Sequence, residues 1–228
     1  PGPDFFSEEN SSGIFGSFSP QDDDGREIQM GISGDEIYIT QYDKLAWVTP
    51  PDYEVKTYYE ATITLSDGEL SSSQLISVTI LNLDDTAPVF ASSNLFSVEE
   101  NQTSIGAVTA TDIDTDDSLI TFSVTGSELS ITSDGVLSFV SAPDYETKSS
   151  YSATVTASDG SNSRTQGITV SVTNVNDVAP TFVSSANFSA AENQTSIGTV
   201  TATDVDIDDS SITFSVSGSE LSITSGGV

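Results

Sequence analysis

The chain repeats short acidic strings at a fixed distance, and this repetition limits the folds that the chain can adopt. Pro51-Asp52-Tyr53-Glu54 returns 92 residues later as Pro143-Asp144-Tyr145-Glu146. Asp85-Thr86-Ala87-Pro88 returns in altered form as Asp177-Val178-Ala179-Pro180. A period of this size fits one small domain per repeat. The sequence therefore predicts three tandem repeats, at residues 1–85, 86–177 and 178–228.

Each repeat alternates apolar with small polar residues, which is typical of half-buried strands. The alternation is clear in Ile120–Val124, Tyr151–Ala157 and Ile168–Val172, and Ile212–Val216 copies the first of these. Turns are predicted at Asp67-Gly68, Asp134-Gly135 and Asp159-Gly160. We find no helical period. About seven short strands in about 90 residues predict an all-β chain of immunoglobulin-like Greek-key β-sandwiches.

The junctions and the chain ends complete the predicted organisation. The last strand of the second repeat runs through Val172–Asp177 directly into Ala179-Pro180, so we expect the sandwiches to lie end to end. Val228 is the counterpart of Val136, and the third repeat is incomplete there. We therefore expect the chain to be a piece of a longer protein.

Composition excludes several classes of function. The chain has 35 acidic residues, five basic residues, no His and no Cys, with a net charge of −30. This charge repels nucleic acid and anionic membranes, and no apolar run reaches the roughly 20 residues of a membrane-spanning helix. Disulfides and thiolate metal sites are excluded. Nothing resembles a nucleophile and base pair, so we predict no enzyme activity.

The acids lie at the predicted junctions between repeats. Glu-Asn, Asp-Tyr-Glu and the exit string belong to one end of a sandwich, whereas Asp-x-Asp and Asp-Gly belong to the other. Stacked repeats would gather eight carboxylates at the first junction: Glu9, Asp52, Glu54, Asp84, Asp85, Asp112, Asp114 and Asp159. These groups cannot all stay ionised without a counter-charge. Many oxygen ligands without His or Cys favour Ca²⁺ over Mg²⁺, zinc or copper.

Two further acidic sets follow from the same spacing. The second junction would use Glu100, Asp144, Glu146, Asn176, Asp177, Asp204 and Asp206. The first repeat has a candidate set in Asp22, Asp24 and Asp67, with no preceding linker to face it.

The acidic strings resemble those of the cadherin repeat over nearly the whole chain. The matching strings are Glu100-Asn101, Asp112-x-Asp114, Asp144-Tyr145-Glu146, Asp159-Gly160 and Asn174-Val175-Asn176-Asp177-Val178. Each string alone is weak, but five in order, repeated, are specific. Tyr145 stands where the family has Arg, and the chain is rich in Ser and Thr. These departures resemble bacterial cadherin-like surface repeats more than animal cadherins.

The resemblance implies three Ca²⁺ ions per junction. At the first junction it assigns Glu9, Asp52, Glu54 and Asp85 to two ions, with Asp114 reaching across. It assigns the third ion to Asp84, Asp112, Asp114 and Asp159, with the backbone carbonyls of Leu83 and Thr86. At the second junction the Asp-Gly member would fall after Val228, so the third ion there is expected to be weak or absent.

The expected function is a calcium-rigidified extracellular repeat array, serving cell-surface adhesion or structural spacing. Its partners would be neighbouring repeats of the same chain, with other surface proteins, polysaccharide or identical chains left open. One alternative is a carbohydrate-binding accessory module, for which Tyr38, Tyr42, Tyr58 and Tyr59 are the candidate platform. Another is a filament subunit, whose incomplete third repeat accepts a strand from another chain.

Two further residue types have structural interpretations. Trp47 aligns with Phe139, so we predict a core aromatic rather than the exchanged tryptophan of adhesive cadherins. The Asn of each Glu-Asn string lies in a glycosylation sequon, but we predict a structural role for it.

Overall fold

The regular secondary structure of the described residues is almost entirely β-strand. The computed structural model describes residues 3–21 and 25–228, and within them helical structure is confined to the 3-10 turns Asp117–Leu119 and Asp209–Ser211. The strands of the described residues are β1 (Asp4–Glu8), β2 (Ile14–Ser17), β3 (Gln29–Ile32), β4 (Ile37–Ile39), β5 (Lys44–Trp47), β6 (Tyr58–Ser66), β7 (Ser71–Leu81), β8 (Val89–Phe90), β9 (Leu95–Glu99), β10 (Ser104–Ala107), β11 (Ala110–Thr111), β12 (Thr121–Val124), β13 (Leu129–Ile131), β14 (Val136–Phe139), β15 (Ser150–Ser158), β16 (Ser163–Thr173), β17 (Thr181–Phe182) and β18 (Ala202–Thr203). The all-β prediction is confirmed.

The chain divides into two compact units. The first unit contains residues 1–88 with two short segments from later in the chain, Asp112–Leu119 and Asp159–Asn162. The second contains Val89–Thr111, Ile120–Ser158 and Ser163–Val228. The residues proposed for each junction therefore fall within a single unit. The repeat boundaries themselves stay a prediction.

The first unit is a two-sheet sandwich. One sheet has the order β1-β7-β6-β3 and the other has the order β2-β5-β4. β1 pairs with β7 in parallel, whereas the remaining pairs in these sheets are antiparallel. Alternate residues of each strand face the core, as in β7, where Ile76, Val78 and Ile80 are buried. Seven strands in this crossing order match the predicted Greek-key sandwich.

Trp47 lies in the core of the first unit, as predicted from its alignment with Phe139. Trp47 is 4% exposed, and its ring contacts the rings of Phe15 and Tyr59. Its indole N–H donates to Ser7 Oγ at 3.0 Å, so the polar edge of the ring is satisfied inside the core.

The second unit repeats this sandwich in shorter segments. One sheet has the order β12-β15-β16-β9, another β10-β14-β13, and β8 pairs with β11. The first two strands of the repeat are interrupted, so nine segments replace the predicted seven. Leu137, Val155 and Val170 form the centre of its core. The predicted strands Ile120–Val124, Tyr151–Ala157 and Ile168–Val172 correspond to β12, β15 and β16.

The third repeat forms fewer strands than its sequence predicts. Only β17 and β18 pair within its described residues, and Ile212–Val216 is not a strand although it copies Ile120–Val124. The prediction of a strand there is wrong. Thr121–Val124 is a strand because it pairs with β15, and the positions that would correspond to β15 fall after Val228. Without a neighbour to bond its backbone, the alternating pattern alone does not make a strand.

The four tyrosines of the candidate platform do not all lie on the surface. Tyr59 is 9% exposed and packs on Trp47, so its ring is part of the core. Tyr38 and Tyr58 are exposed, but they lie on different sheets, in β4 and β6.

In the described residues, the structure has no helix both long and apolar enough to cross a membrane.

Candidate metal centre

Glu9 fixes the first cluster of carboxylates. It directly follows β1, and only 2% of the residue is exposed. Its Oε2 accepts a hydrogen bond from Tyr53 N at 2.9 Å, and its Oε1 accepts one from Leu83 N at 2.6 Å. One buried carboxylate thus ties the end of β1 to the Asp-Tyr-Glu loop and to the segment after β7.

Asn10 has the structural role that the sequence analysis predicted for the Glu-Asn string. Its backbone is left-handed, with φ of 56°, a conformation that Asn tolerates better than most residues. Its backbone N–H donates to Pro51 O at 2.8 Å, and its side-chain amide donates to Asp85. The Asn therefore positions another acid of the cluster.

The cluster consists of three overlapping groups of three carboxylates. Within each group, one oxygen of every member lies within 4.8 Å of an oxygen of the other two. The groups are Glu9, Asp52 and Glu54; Glu54, Asp85 and Asp114; and Asp84, Asp112 and Asp114. Glu54 and Asp114 each belong to two groups. They are therefore the places where neighbouring cations would share a ligand.

Several oxygens of this cluster are buried without a donor. When all the acids are ionised, Glu54 Oε1, Asp112 Oδ2, Asp114 Oδ1 and Asp159 Oδ2 receive no hydrogen bond in the described residues. A buried acceptor without a donor is costly, and a buried anion more so. Four such atoms in one cluster, all carboxylate oxygens, match the ligand set of a hard cation such as Ca²⁺.

The pKa values of two acids in the cluster also indicate a lack of nearby positive charge. Burial, together with a hydrogen bond to Asp114, raises the pKa of Glu54 to about 7. Burial also disfavours ionisation of Asp114, but hydrogen bonds from Glu54 and Thr86 outweigh it and lower the pKa of Asp114. In the ion-free protein a proton on Glu54 therefore supplies part of the charge that a cation would bring.

Backbone N–H groups donate hydrogen bonds to the aspartates of the Asp112–Leu119 loop and fix their side chains. Asp112 Oδ1 accepts hydrogen bonds from Asp114 N at 2.8 Å and Thr115 N at 3.0 Å. Asp114 Oδ2 accepts one from Thr86 N at 2.9 Å. Each carboxylate thus uses one oxygen to order the backbone and leaves the other for the cluster.

Asn162 is a residue of this cluster that the sequence analysis missed. Asp159 Oδ1 accepts the N–H of Asn162 at 2.6 Å, and the side-chain amide of Asn162 donates to Asp84 O and Oδ1 at 3.0 and 3.1 Å. Asn162 therefore joins Asp159 to the third group, although Asp159 is not itself a member. Leu70 occupies this position in the first repeat, so repetition gave no signal for it.

The second cluster reproduces two of the three groups. They are Glu100, Asp144 and Glu146, and Glu146, Asp177 and Asp206. Glu100 is 2% exposed and accepts from Tyr145 N at 2.8 Å and Val175 N at 2.7 Å, as Glu9 does from its own partners. Asn101, also left-handed, donates to Asp177 Oδ2 at 2.5 Å.

The electrostatic pattern of the second cluster also follows the first. The pKa of Glu146 is raised, chiefly by burial, and that of Asp206 is lowered, chiefly by the N–H of Val178. Asp204 Oδ2 and Asp206 Oδ1 are buried without a donor in the described residues. Asn176 stands where the first cluster has Asp84, and neither it nor Asp204 belongs to a group of three acids in the described residues.

The third candidate set has a different arrangement. Asp22 and Asp24 lie outside the described residues. Asp67 Oδ2 lies 3.8 Å from a guanidinium nitrogen of Arg26, which is 2.8 Å from Glu69 Oε2. Arg26 therefore supplies positive charge to Asp67. Asp159 is the counterpart of Asp67 in the second repeat, and none of the ion pairs in the described residues includes it.

Comparison with known proteins places these features in a family. The family model described as "Cadherin domain" matches residues 94–173, which include Glu100, Asp112, Asp114, Asp144 and Asp159. This chain belongs to the cadherin-repeat family. It is 34% identical over 171 residues to mouse "Cadherin EGF LAG seven-pass G-type receptor 1", covering 67% of this chain and 6% of that protein.

Solved cadherin structures share the fold of these repeats. The mouse cadherin-23 EC22-24 structure aligns with a TM-score of 0.75 at 23% identity, covering 98% of this chain and 82% of that one. The cis-dimer structure of protocadherin gammaB7 EC3-6 aligns with a TM-score of 0.64 at 28% identity, covering 80% and 53%. The tandem β-sandwich architecture is therefore that of cadherin repeats.

The comparison also limits what can be transferred to this chain. The chain spans about 6% of the length of the curated mouse relative. The activity and partners of such a protein as a whole therefore do not follow from the match. The likeness to bacterial surface repeats stays a prediction, since the relatives named here are animal proteins.

Proposed function

We propose that this chain is part of a calcium-rigidified extracellular repeat array, serving adhesion or structural spacing. The observation that carries the proposal is the pair Glu54 and Asp114. Each belongs to two groups of carboxylates, and each has a buried oxygen without a donor in the described residues. The cadherin-type fold, which is that of extracellular adhesion repeats, gives the context for this site.

The first cluster fits three ions. Glu9, Asp52 and Glu54 would hold one, Glu54, Asp85 and Asp114 a second, and Asp84, Asp112 and Asp114 a third. Asp159 and the carbonyls of Leu83 and Thr86 would complete the third set. The second cluster fits two ions, held by Glu100, Asp144, Glu146, Asp177 and Asp206. A third ion there would depend on Asn176 and Asp204.

Cation binding would stiffen the chain by joining segments that repel one another when they are ionised. Glu9 follows β1, Glu54 lies in the loop before β6, and Asp114 lies in the loop after β11. Three divalent ions would bring six positive charges to the eight carboxylates predicted for the first junction. Extracellular Ca²⁺ modules bind at about 10⁻⁴–10⁻³ M, so the array would be ordered in a calcium-rich extracellular medium.

The proposed setting is extracellular, and the proposed role is not catalytic. Partners in the array are neighbouring repeats and, by analogy with the protocadherin gammaB7 cis-dimer, other cadherin-type chains or identical chains. The acids lie in overlapping triads with backbone donors, an arrangement that serves cation binding rather than proton transfer to a substrate.

Counting bound ions tests this proposal directly. Equilibrium dialysis of the 228-residue chain against ⁴⁵Ca²⁺ should show five ions, three from the first cluster and two from the second. Small-angle scattering of the same samples should show a narrower distribution of distances in Ca²⁺ than in chelator. Absence of saturable binding at millimolar Ca²⁺ would overturn the metal site. Saturable binding with unchanged scattering would overturn rigidification alone.

A further inference from the structure

One face of the first unit carries exposed aromatic rings that its own fold does not explain. The outer face of the β1-β7-β6-β3 sheet contains Phe6, which is 62% exposed, and Tyr58, which is 46% exposed. An exposed aromatic ring pair on a sheet contributes little to folding stability, because its apolar surface stays in water.

The strand register places these two rings in one row. Phe6 of β1 pairs with Thr79 of β7, and Thr79 pairs with Tyr58 of β6. Residues that pair across neighbouring strands share a face. The two rings therefore stand two strand spacings apart, about 9.6 Å, with the short Thr79 side chain between them.

The adjacent row supplies hydrogen-bond acceptors. Asp4 pairs with Ser77, and Ser77 pairs with Glu60. Ser77 Oγ donates to Asp4 Oδ1, and the Tyr58 hydroxyl donates to Glu60 Oε1 at 3.0 Å. These bonds hold the carboxylates and the Tyr58 ring in place beside the aromatic row.

The second unit provides the same sheet without these groups. Ser97, Ser171 and Ser150 form the row that corresponds to Phe6, Thr79 and Tyr58. Leu95, Thr169 and Ser152 form the row that corresponds to Asp4, Ser77 and Glu60. The fold of the sheet therefore requires neither the rings nor the carboxylates.

We propose that this face of the first unit, formed by Phe6, Thr79, Tyr58, Asp4, Ser77 and Glu60, binds a neutral polysaccharide strand. Two rings spaced along a row offer apolar faces to the C–H faces of two sugars of the same strand. The carboxylates beside them accept hydrogen bonds from sugar hydroxyls, and such charge-assisted bonds are the stronger kind.

Charge and size favour this ligand over others. The carboxylates on this face repel anionic glycans, and they would also repel the same carboxylates of a second copy docked face to face here. A stable protein interface buries about 800 Å² on each partner around an apolar centre. Two partly exposed rings with Leu81 in the neighbouring row form a narrow apolar strip next to a row of acids, which suits a strand of sugars better than a broad protein interface.

Affinity electrophoresis of the intact chain tests the proposal. Native gels with 2 mM CaCl₂ would contain hydroxyethylcellulose, xyloglucan or laminarin, with polygalacturonate as the anionic control. The wild-type chain should be retarded by at least one of the three uncharged polymers. Retardation by none of them would overturn the proposal, as would retardation by polygalacturonate alone.

Matched variants connect retention to this face. Phe6→Ser with Tyr58→Ser gives the two ring positions the residues of the second unit and should weaken retention at least tenfold, about 1.4 kcal/mol. The reciprocal change, Ser97→Phe with Ser150→Tyr, should strengthen it. Circular dichroism should show an unchanged fold in both. Unchanged retention in the first variant would overturn the proposal. If the wild-type chain binds no sugar, sediments as a dimer and loses the dimer in this variant, the face binds a second copy instead.

Discussion

At the scale of single residues, the acids of this chain divide into those that order the backbone and those that lack a donor. Asp116 belongs to the first kind, because its Oδ1 accepts a hydrogen bond from Ser118 N at 2.9 Å and its pKa is lowered by that residue. Asp114 belongs to both kinds, since its Oδ2 accepts a hydrogen bond from Thr86 N while its Oδ1 is buried without a donor in the described residues. In the sequence the two residues are both Asp in the same loop, so the sequence alone does not distinguish their roles.

This division predicts unequal effects of two neighbouring substitutions. Asp114→Asn should weaken Ca²⁺ binding at least tenfold, about 1.4 kcal/mol, because Asp114 belongs to two of the three groups. Asp116→Asn should change affinity less than twofold. Isothermal titration calorimetry of the two variants measures both values. Equal losses would contradict the assignment of Asp114 as a shared ligand.

The raised pKa of Glu54 predicts a pH dependence of the ion-free chain. Its pKa is about 7 in the folded protein against 4.5 ordinarily. Because the folded pKa is raised, the contribution of Glu54 to stability is present below about pH 4.5 and is lost as the pH rises through about 7. In chelator, thermal midpoints should therefore fall between pH 5.5 and 8.

Glu54→Gln separates this contribution from the general effect of net charge. Gln resembles the protonated acid, so the variant should show a shallower fall than the wild type. The difference should be at most about 1 kcal/mol, because the group is partly solvated. Identical pH profiles for the two proteins would show that the proton is not held at Glu54. Asp116→Asn is the control and should follow the wild-type profile.

At the scale of elements, alternation predicted strands wherever a pairing partner existed. β12, β15 and β16 were predicted from their period-two patterns, and the turn glycines Gly68, Gly135 and Gly160 have positive φ as their Asp-Gly strings indicated. Ile212–Val216 has the same pattern and forms no strand. Pairing is a property of two segments, so a pattern within one segment cannot establish it.

The site showed a similar limit to what repetition can reveal. The repeated strings located the two carboxylate clusters, although the binding of metal there stays a prediction. Asn162 was missed because it has no counterpart in the first repeat. The pairing of Asp67 with Arg26 was also missed, since the basic residue lies in a segment that the repeats do not share.

The turn before β14 gives a prediction for an element. Gly135 has φ of 86°, and a Cβ there would lie 2.2 Å from Val108 O. Val108 also donates its N–H to Gly135 O at 2.8 Å, so relief of the clash would break a backbone hydrogen bond. Gly135→Ala should therefore destabilise the second unit by about 3 kcal/mol.

Gly167 is the matched control for this substitution. It lies in β16, and a Cβ there would meet nothing within 4 Å. Gly167→Ala should be neutral or stabilising by up to about 1 kcal/mol. Urea unfolding in Ca²⁺ measures both variants. A loss at Gly135 no larger than that at Gly167 would show that the turn adapts to a side chain.

At the scale of the whole molecule, charge opposes the compact state and cations offset it. The net charge of −30 is spread over a chain with only five basic residues. Monovalent salt screens such repulsion generally, but it does not supply a divalent cation that the buried carboxylate oxygens can coordinate. The two effects can therefore be separated by comparing Ca²⁺ with NaCl at equal ionic strength.

The last prediction follows from that separation. At 1 mM Ca²⁺ and a dissociation constant of about 10⁻⁴ M, each bound ion adds about 1.4 kcal/mol to the free energy of unfolding. Five such ions would add about 7 kcal/mol in all, so thermal midpoints should rise by roughly 10 °C or more in Ca²⁺ and by less in 3 mM NaCl, which matches the ionic strength of 1 mM CaCl₂. Mg²⁺ should act more weakly than Ca²⁺, because it keeps its waters and requires tighter octahedral geometry. Equal midpoints in all three salts would mean that the carboxylates act only through their overall charge, and the rigid-array proposal would then fail with the metal site.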